Sequence, residues 1–290
     1  VVNERDDQGR KRARVAPWAL LLPGMIFLFL FFFFPLFTLG RMSLSYRPSR
    51  FAAPVFGWEW SNFGDAFSRY GPQFTRSFLY AAAATLLALV IAYPLAYVIA
   101  FRGGRWKNVL LGLVVVPFFT NFLIRTLAWK TILGDQGTVV GLLRDLHLLG
   151  TNGTLLRTPI AVIGGLTYNF LPFMVLPIYV ALEKVDPRLL DAARDLYSST
   201  WRAFRKVIFP LSLPGVFAGS LLVFIPAAGD FVNAYYLGSA KTSMIGNVVQ
   251  DQFLAQNDYP VAAALSFVFM AIVMVIVIVY ARVLGTEDIA

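Results

Sequence analysis

Cysteine is absent from this chain of 290 residues, and histidine occurs once, at His147. The first absence excludes disulfides and thiolate chemistry. The second excludes a metal centre built from several histidines of this chain. Charge is scarce as well: Asp, Glu, Lys and Arg make up 14% of the residues, where a soluble domain carries about 25%. Catalytic motifs are missing too. There is no G-x-x-x-x-G-K-S/T phosphate loop; the nearest string, GSAKTS at 238–243, lacks the second glycine. There is no H-E-x-x-H zinc pair, no G-x-S-x-G nucleophile elbow and no paired Asn-Pro-Ala repeat. An internal repeat of the kind many carriers show is also lacking. These gaps leave no catalytic and no metal-ligating residue to name.

What the chain has in excess is apolar surface. Hydrophobic residues make up 58%, with 27 phenylalanines. A spanning helix needs about 20 apolar residues, and six stretches qualify, near 16–40, 77–101, 108–133, 159–182, 211–237 and 259–283. The expected fold class is therefore all-α: a polytopic membrane protein with six transmembrane helices. The domain plan is a basic head, 1–15, and one membrane domain, 16–290. The head reads as cytoplasmic and not as a cleavable signal peptide, because the apolar run behind it is too long and lacks an A-x-A site. The first and last spans are almost purely apolar and are expected to face lipid. The third, fourth and fifth carry polar residues and are expected to face an interior. Pro35, Pro94, Pro117, Pro172, Pro177 and Pro226 fall inside spans, where neighbours can re-satisfy the freed backbone groups.

The formal charge of +9 would suit nucleic acid, but the basic residues lie between apolar runs, where they set topology instead. With the N-terminus inside, fifteen of the 25 Lys and Arg fall in inner segments, eight in outer ones and two in the third span. Both termini are thus expected to be cytoplasmic. The outer loop 41–76 carries the aromatic string FGWEWSNFGDAF. It predicts a short interfacial helix capped by Asn62, with Asp65 three residues on, lying in an aromatic belt. The same surface also suits docking by an external partner.

Ionisable residues inside a span are costly and mark function. Asp230 is the clearest, with Asn233 one turn on and Tyr235 and Tyr236 beyond. Arg125 and Trp129 share a face of the third span, which also holds Asn121; Tyr168 and Asn169 lie in the fourth. Asp230 has two possible roles, a wall of a solute pathway or an internal ion pair with Arg125 or Lys130.

Between the fourth and fifth spans lies EKVDPRLLDAARDLYSSTWRAFRKVIFPLSLPG, residues 183–215. Asp186-Pro187 is a helix start, with a capping acid followed by proline at the first helical position. Leu189, Ala193 and Leu196 share one face, with charges around the rest. Thr200 is placed to cap a second turn carrying Trp201 and Phe204, which Pro210 and Pro214 would end. Such a helix either rests on the membrane surface or docks into a groove on another protein. Its mixed charge argues against simple adhesion to anionic lipid.

This block resembles the cytoplasmic loop of ABC importer permeases, E-A-A-x-x-x-G, nine residues, then I-x-L-P. The matches are Asp191, Ala192, Ala193, then Val207, Phe209 and Pro210, with Tyr197 at the glycine position. PFFTNFLIRTLAWKTILGDQG (117–137), FIPAAGDFVNAYYLG (224–238) and MIGNVVQDQF (244–253) resemble the spermidine/putrescine class. The resemblance implies the type I importer permease fold in the bacterial cytoplasmic (inner) membrane, with a coupling loop at 183–210. It implies half of a pore for polyamines or a similar small organic cation. The implied partners are two ABC ATPase subunits that hold ATP and Mg, a second and different permease, an extracytoplasmic substrate-binding protein and membrane lipid. No cofactor is implied in this chain. ATPase coupling would fall to residues 187–204, with Asp191, Ala192, Ala193, Leu196, Tyr197, Ser198, Trp201, Phe204 and the following Pro210. The pathway would fall to Asp230, Asn233, Tyr235, Trp129, Arg125, Asn121, Tyr168 and Asn169. Carboxylates and aromatic faces suit a flexible polycation. The alternatives are a stand-alone channel or secondary carrier for a small cationic solute, which gives no reason for the 183–215 loop, and a membrane subunit without transport.

Overall fold

A computed structural model of the chain describes residues 18, 20–49, 52–150, 153–186, 188–189 and 199–283. Helix α1, Leu20–Ser43, leads into a ribbon in which Ser45–Tyr46 (β1) pairs antiparallel with Val55–Phe56 (β2). Then come α2, Ser61–Arg102, α3, Gly104–Phe119, α4, Phe122–Ile132, and α5, Thr138–Asp145. The chain continues with α6, Pro159–Glu183, α7, Trp201–Ala228, α8, Val232–Leu237, α9, Ile245–Leu254, and α10, Tyr259–Val283. Helices α1, α2, α6, α7 and α10 are long and apolar enough to cross a membrane; α3 and α4 meet that measure only as a pair, bent by 93°.

The core is centred on α6, which packs against α2 and α7. Lipid tails are as apolar as leucine, so helices associate in a membrane through close packing rather than through a hydrophobic drive. The sequence supplies small residues for this. Ala81, Ala84, Ala88, Ala92 and Ala96 form a fully buried stripe on α2. On α7, Gly215 and Gly219 stand four apart, one turn along one face. A Cβ on Gly215 would lie 2.5 Å from the Pro177 carbonyl oxygen, and one on Gly219 would lie 2.9 Å from Met174 Sδ. Only hydrogen fits between α7 and α6 at those positions. Into these small-residue faces α6 sends Leu166, Met174, Ile178 and Leu182, all fully buried.

Helix α1 is the opposite case: none of its most apolar window is buried against the rest of the chain. Its Ser43 end meets α10, where Phe267 packs on Gly40. Helix α10 is less purely lipid-facing than its composition suggests, because Ala262, Ala263, Ala264 and Leu265 are buried and the helix also packs on α2 and α9.

Four boundaries differ from the sequence reading. The outer-loop helix and the second span are one helix, α2. Asn62 does not cap it: the helix already begins at Ser61, and Asn62 Nδ2 donates instead to the carbonyls of Ser43 (2.9 Å) and Ser45 (2.8 Å), tying α2 to the end of α1. The third span breaks at Thr120, which is extended, and restarts where Asn121 caps α4 by accepting from Leu123 N at 2.9 Å. The fifth span ends at Ala228, which places Asp230 in a break instead of inside a helix. Finally, Pro210 and Pro214 do not end the helix from Trp201, which runs through both into the span. A π-turn at Phe204–Ile208 comes just before Pro210, and another at Phe29–Phe33 just before Pro35. The wider turn, closed by Phe209 N–H to Phe204 O and by Phe34 N–H to Phe29 O, makes room where a proline ring would strike a carbonyl.

Candidate functional site

Side chains from α4, α6 and the break between α7 and α8 converge on one buried polar network. Asp230 Oδ1 accepts from the Asn233 backbone N (2.7 Å) and Oδ2 from Asn233 Nδ2 (3.2 Å). Asn233 Oδ1 accepts from Asn169 Nδ2 (2.9 Å), which also donates to Thr126 Oγ1 (3.2 Å). The Thr126 hydroxyl in turn donates to the Phe122 carbonyl (3.1 Å). All four side chains are buried, Thr126 and Asn233 completely. The carboxylate fixes the amide orientations. Asn233 must turn its NH2 to Asp230 and its oxygen to Asn169, which leaves Asn169 Oδ1 without a partner among the described residues.

The local sequence makes this approach possible. A Cβ on Gly165 would collide with the Leu237 side chain and stand 2.9 Å from Asn233 Oδ1, so the glycine lets α8 lie against α6. The first N–H groups of a helix lack intrahelical partners, and Asp230 supplies one at the start of α8. The segment is held from outside by α9: Asn247 Nδ2 donates to the Phe231 carbonyl (2.8 Å), and Ile245 N donates to Ser77 Oγ on α2 (2.8 Å).

Neither version of the internal ion pair forms. The carboxylate of Asp230 is occupied by Asn233, and among the described residues the ion pair is Lys107–Glu183 at 2.6 Å. Arg125 is buried with its guanidinium 5.3 Å from the Phe118 ring centroid and 5.7 Å from that of Phe122. A desolvated cation over two aromatic faces is stabilised by their quadrupoles. Its Nε has no hydrogen-bond partner among the described residues. Lys130 Nζ lies 5.8 Å from the Tyr236 ring.

The structure therefore brings Asp230, Asn233 and Asn169 together and leaves the other pathway residues outside the network. Trp129 and Tyr168 pair edge to face, with centroids 5.3 Å apart. Tyr235 is 68% exposed and meets Tyr236 edge to face. Asn121 is exposed at the start of α4. Sequence reasoning missed Thr126, Gly165 and Phe118. The Gly164-Gly165 pair in an apolar run was the available signal for a close approach.

At the opposite end of α7, Trp201 stacks on Phe204 (5.4 Å), and Phe204 meets Tyr93 of α2 edge to face (5.6 Å). Tyr93 is bonded through its hydroxyl to Ser212 Oγ (2.7 Å). Asp186 Oδ1 accepts from Arg188 N at 2.8 Å, as expected of a helix-starting acid. Asp191, Ala192, Ala193, Leu196, Tyr197 and Ser198 lie outside the described residues. Among the described residues no group of His, Cys, Asp and Glu is placed to hold a metal ion.

Comparison with known proteins adds a family match, three relatives and one solved structure. The family model for the binding-protein-dependent transport system inner membrane component matches residues 85–285. The spermidine/putrescine transport system permease protein PotB of Haemophilus influenzae is 44% identical over 199 residues, covering 69% of this chain and 70% of that protein. PotB of Escherichia coli K12 is 43% identical, covering 69% and 72%. The inner membrane ABC transporter permease protein YdcU of Escherichia coli K12 is 31% identical, covering 73% and 71%. Among solved structures, a bacterial ABC transporter that imports the acidic polysaccharide alginate has a chain of the same fold, with TM-score 0.70 at 18% identity, covering 96% of this chain and 98% of that one.

Proposed function

We propose that this chain, which belongs to the family of binding-protein-dependent transport system inner membrane components, forms one half of the pore of a polyamine importer driven by ATP. The likeness to spermidine/putrescine permeases over two thirds of the chain carries this reading. The other half of the pore is a second, different permease. Two separate ATPase subunits hold ATP and Mg, and a binding protein delivers the substrate from the far side. Both termini lie on the cytoplasmic side, as the distribution of Lys and Arg favours.

In this scheme the polar network is a joint, and the aromatic surfaces meet the solute. Asp230 is a positioning residue: with both oxygens taken by Asn233, it sets the direction of α8 and so the placement of Tyr235. Tyr235 and the Trp129–Tyr168 pair offer π faces to ammonium groups, a contact that tolerates a flexible chain. The buried Arg125 cation disfavours a polycation lodging beside Phe118.

Coupling enters through 187–204. An ATPase that closes on ATP moves a docked helix, and the movement reaches the pore only through a rigid connection. The Trp201–Phe204–Tyr93–Ser212 chain supports such a connection from the start of α7 to α2. The test is reconstitution of the four-part complex in liposomes. Spermidine or putrescine, presented with the binding protein, should stimulate ATP hydrolysis, and Ala193→Glu should abolish stimulated uptake while the ATPases still hydrolyse ATP. Stimulation by neither amine would refute the substrate class. Normal uptake by Ala193→Glu would refute the coupling site.

A further inference from the structure

The loop that joins α1 to α2 does more than turn the chain. Phe56 and Trp58 meet edge to face (5.1 Å), Trp58 stacks on Trp60 (6.3 Å), and Trp60 lies 5.9 Å from Phe63. Trp58 and Trp60 are both more than 60% exposed. Behind this aromatic ladder is a cleft of about 800 Å³, walled by Phe33, Phe37 and Arg41 of α1 and by Phe267 of α10. That volume is in the range of ligand pockets, roughly 300–1,000 Å³. The Phe33 and Phe37 side of the cleft continues the exposed apolar face of α1.

Depth and charge identify the occupant. Helix α1 has 24 residues, a rise of about 36 Å at 1.5 Å per residue, against a hydrocarbon core of about 30 Å. Arg41, two residues from its end, therefore lies at headgroup depth, while Phe37 and Phe33 lie one and two turns deeper among the acyl chains. The Arg41 guanidinium rests 5.6 Å from the Phe56 ring and has no carboxylate partner among the described residues. Glu59, on the same loop, accepts from Ser61 Oγ at 2.6 Å instead. A cation at headgroup level above a greasy cleft, rimmed by tryptophans, matches the layout of a phospholipid.

We propose that this cleft holds one phospholipid, with its phosphate on Arg41 and one acyl chain between Phe33, Phe37 and Phe267. The lipid extends the contact that Gly40 of α1 already makes with Phe267 of α10. The site is independent of the solute and of coupling, so its test does not depend on the transport reading.

The test measures phospholipid retained by the assembled complex after exchange into detergent. Wild type should keep bound phospholipid through washes that strip annular lipid. Arg41→Gln should keep about fivefold less, the loss expected for one headgroup cation, and Arg41→Lys should restore most of it. In a second readout, the complex is reconstituted with phospholipid brominated on its acyl chains. The fluorescence lost in Trp58→Phe, taken as the difference from wild type, should be strongly quenched. Equal lipid retention in wild type and Arg41→Gln would overturn the proposal. So would unquenched Trp58 emission, or a crosslink from Phe37 to the second permease showing that a protein helix fills the cleft.

Discussion

At the scale of single residues, Asn233 is the position on which the interior depends. It contacts Asp230 twice and Asn169 once. Asn233→Ala would remove the side-chain donor from the buried Asp230 carboxylate and the acceptor for one N–H of the buried Asn169 amide, at about 1–3 kcal/mol for each group. The expected outcome is a clear drop in the midpoint of thermal unfolding of the purified complex, with uptake falling alongside it. Tyr235→Ala should behave differently. The side chain is exposed, so stability should stay within about 0.5 kcal/mol, while the spermidine concentration for half-maximal uptake should rise several-fold. A Tyr235→Ala complex with unchanged concentration dependence would remove that residue from the pathway. These residues show how far the sequence could be read. An acid in an apolar run was visible as a point of interest, but its partners were not. An ion pair of Asp230 with Arg125 or Lys130 is one of its two readings from sequence, because charge is legible there. The structure satisfies it with a neutral neighbour three residues away and directs both cations to aromatic rings, a choice set by helix breaks that sequence periodicity does not reveal.

At the scale of elements, the bundle depends on small residues that let backbones touch. Gly215→Leu would place a side chain where Pro177 O and Ala181 Cβ already stand, at 2.5 and 2.6 Å from the new Cβ. Overpacking costs about 1–3 kcal/mol even where side chains can yield, and a carbonyl cannot, so this variant should assemble poorly. Gly64→Ala is the control, since nothing lies within 4 Å of its added Cβ, and it should match wild type in yield and in unfolding midpoint measured side by side. The six apolar stretches were legible because length and hydropathy are local properties. The ends were less so. Thr120, Gly229 and the π-turns before Pro35 and Pro210 decide where helices bend, stop or continue. Proline alone suggests a stop, whereas the structure absorbs two of them by widening the preceding turn.

At the scale of the whole molecule, one question is whether motion at the 183–210 loop reaches the pore. Phe204 sits between Trp201 and Tyr93, so Phe204→Ala should lower spermidine imported per ATP hydrolysed while leaving basal hydrolysis unchanged; an unaltered ratio would mean that the connection runs elsewhere. The family was legible from the loop at 191–210 and from the blocks at 117–137, 224–238 and 244–253, and the family model matches residues 85–285, which hold all four. The central claim is that this chain is the pore half of a polyamine importer powered by a partner's ATP. The measurement that tests it most directly is uptake of radiolabelled spermidine into proteoliposomes holding the complete complex and its binding protein. The account predicts accumulation that requires ATP and the binding protein and survives collapse of ion gradients. Spermidine uptake that needs an ion gradient but no ATP would contradict it.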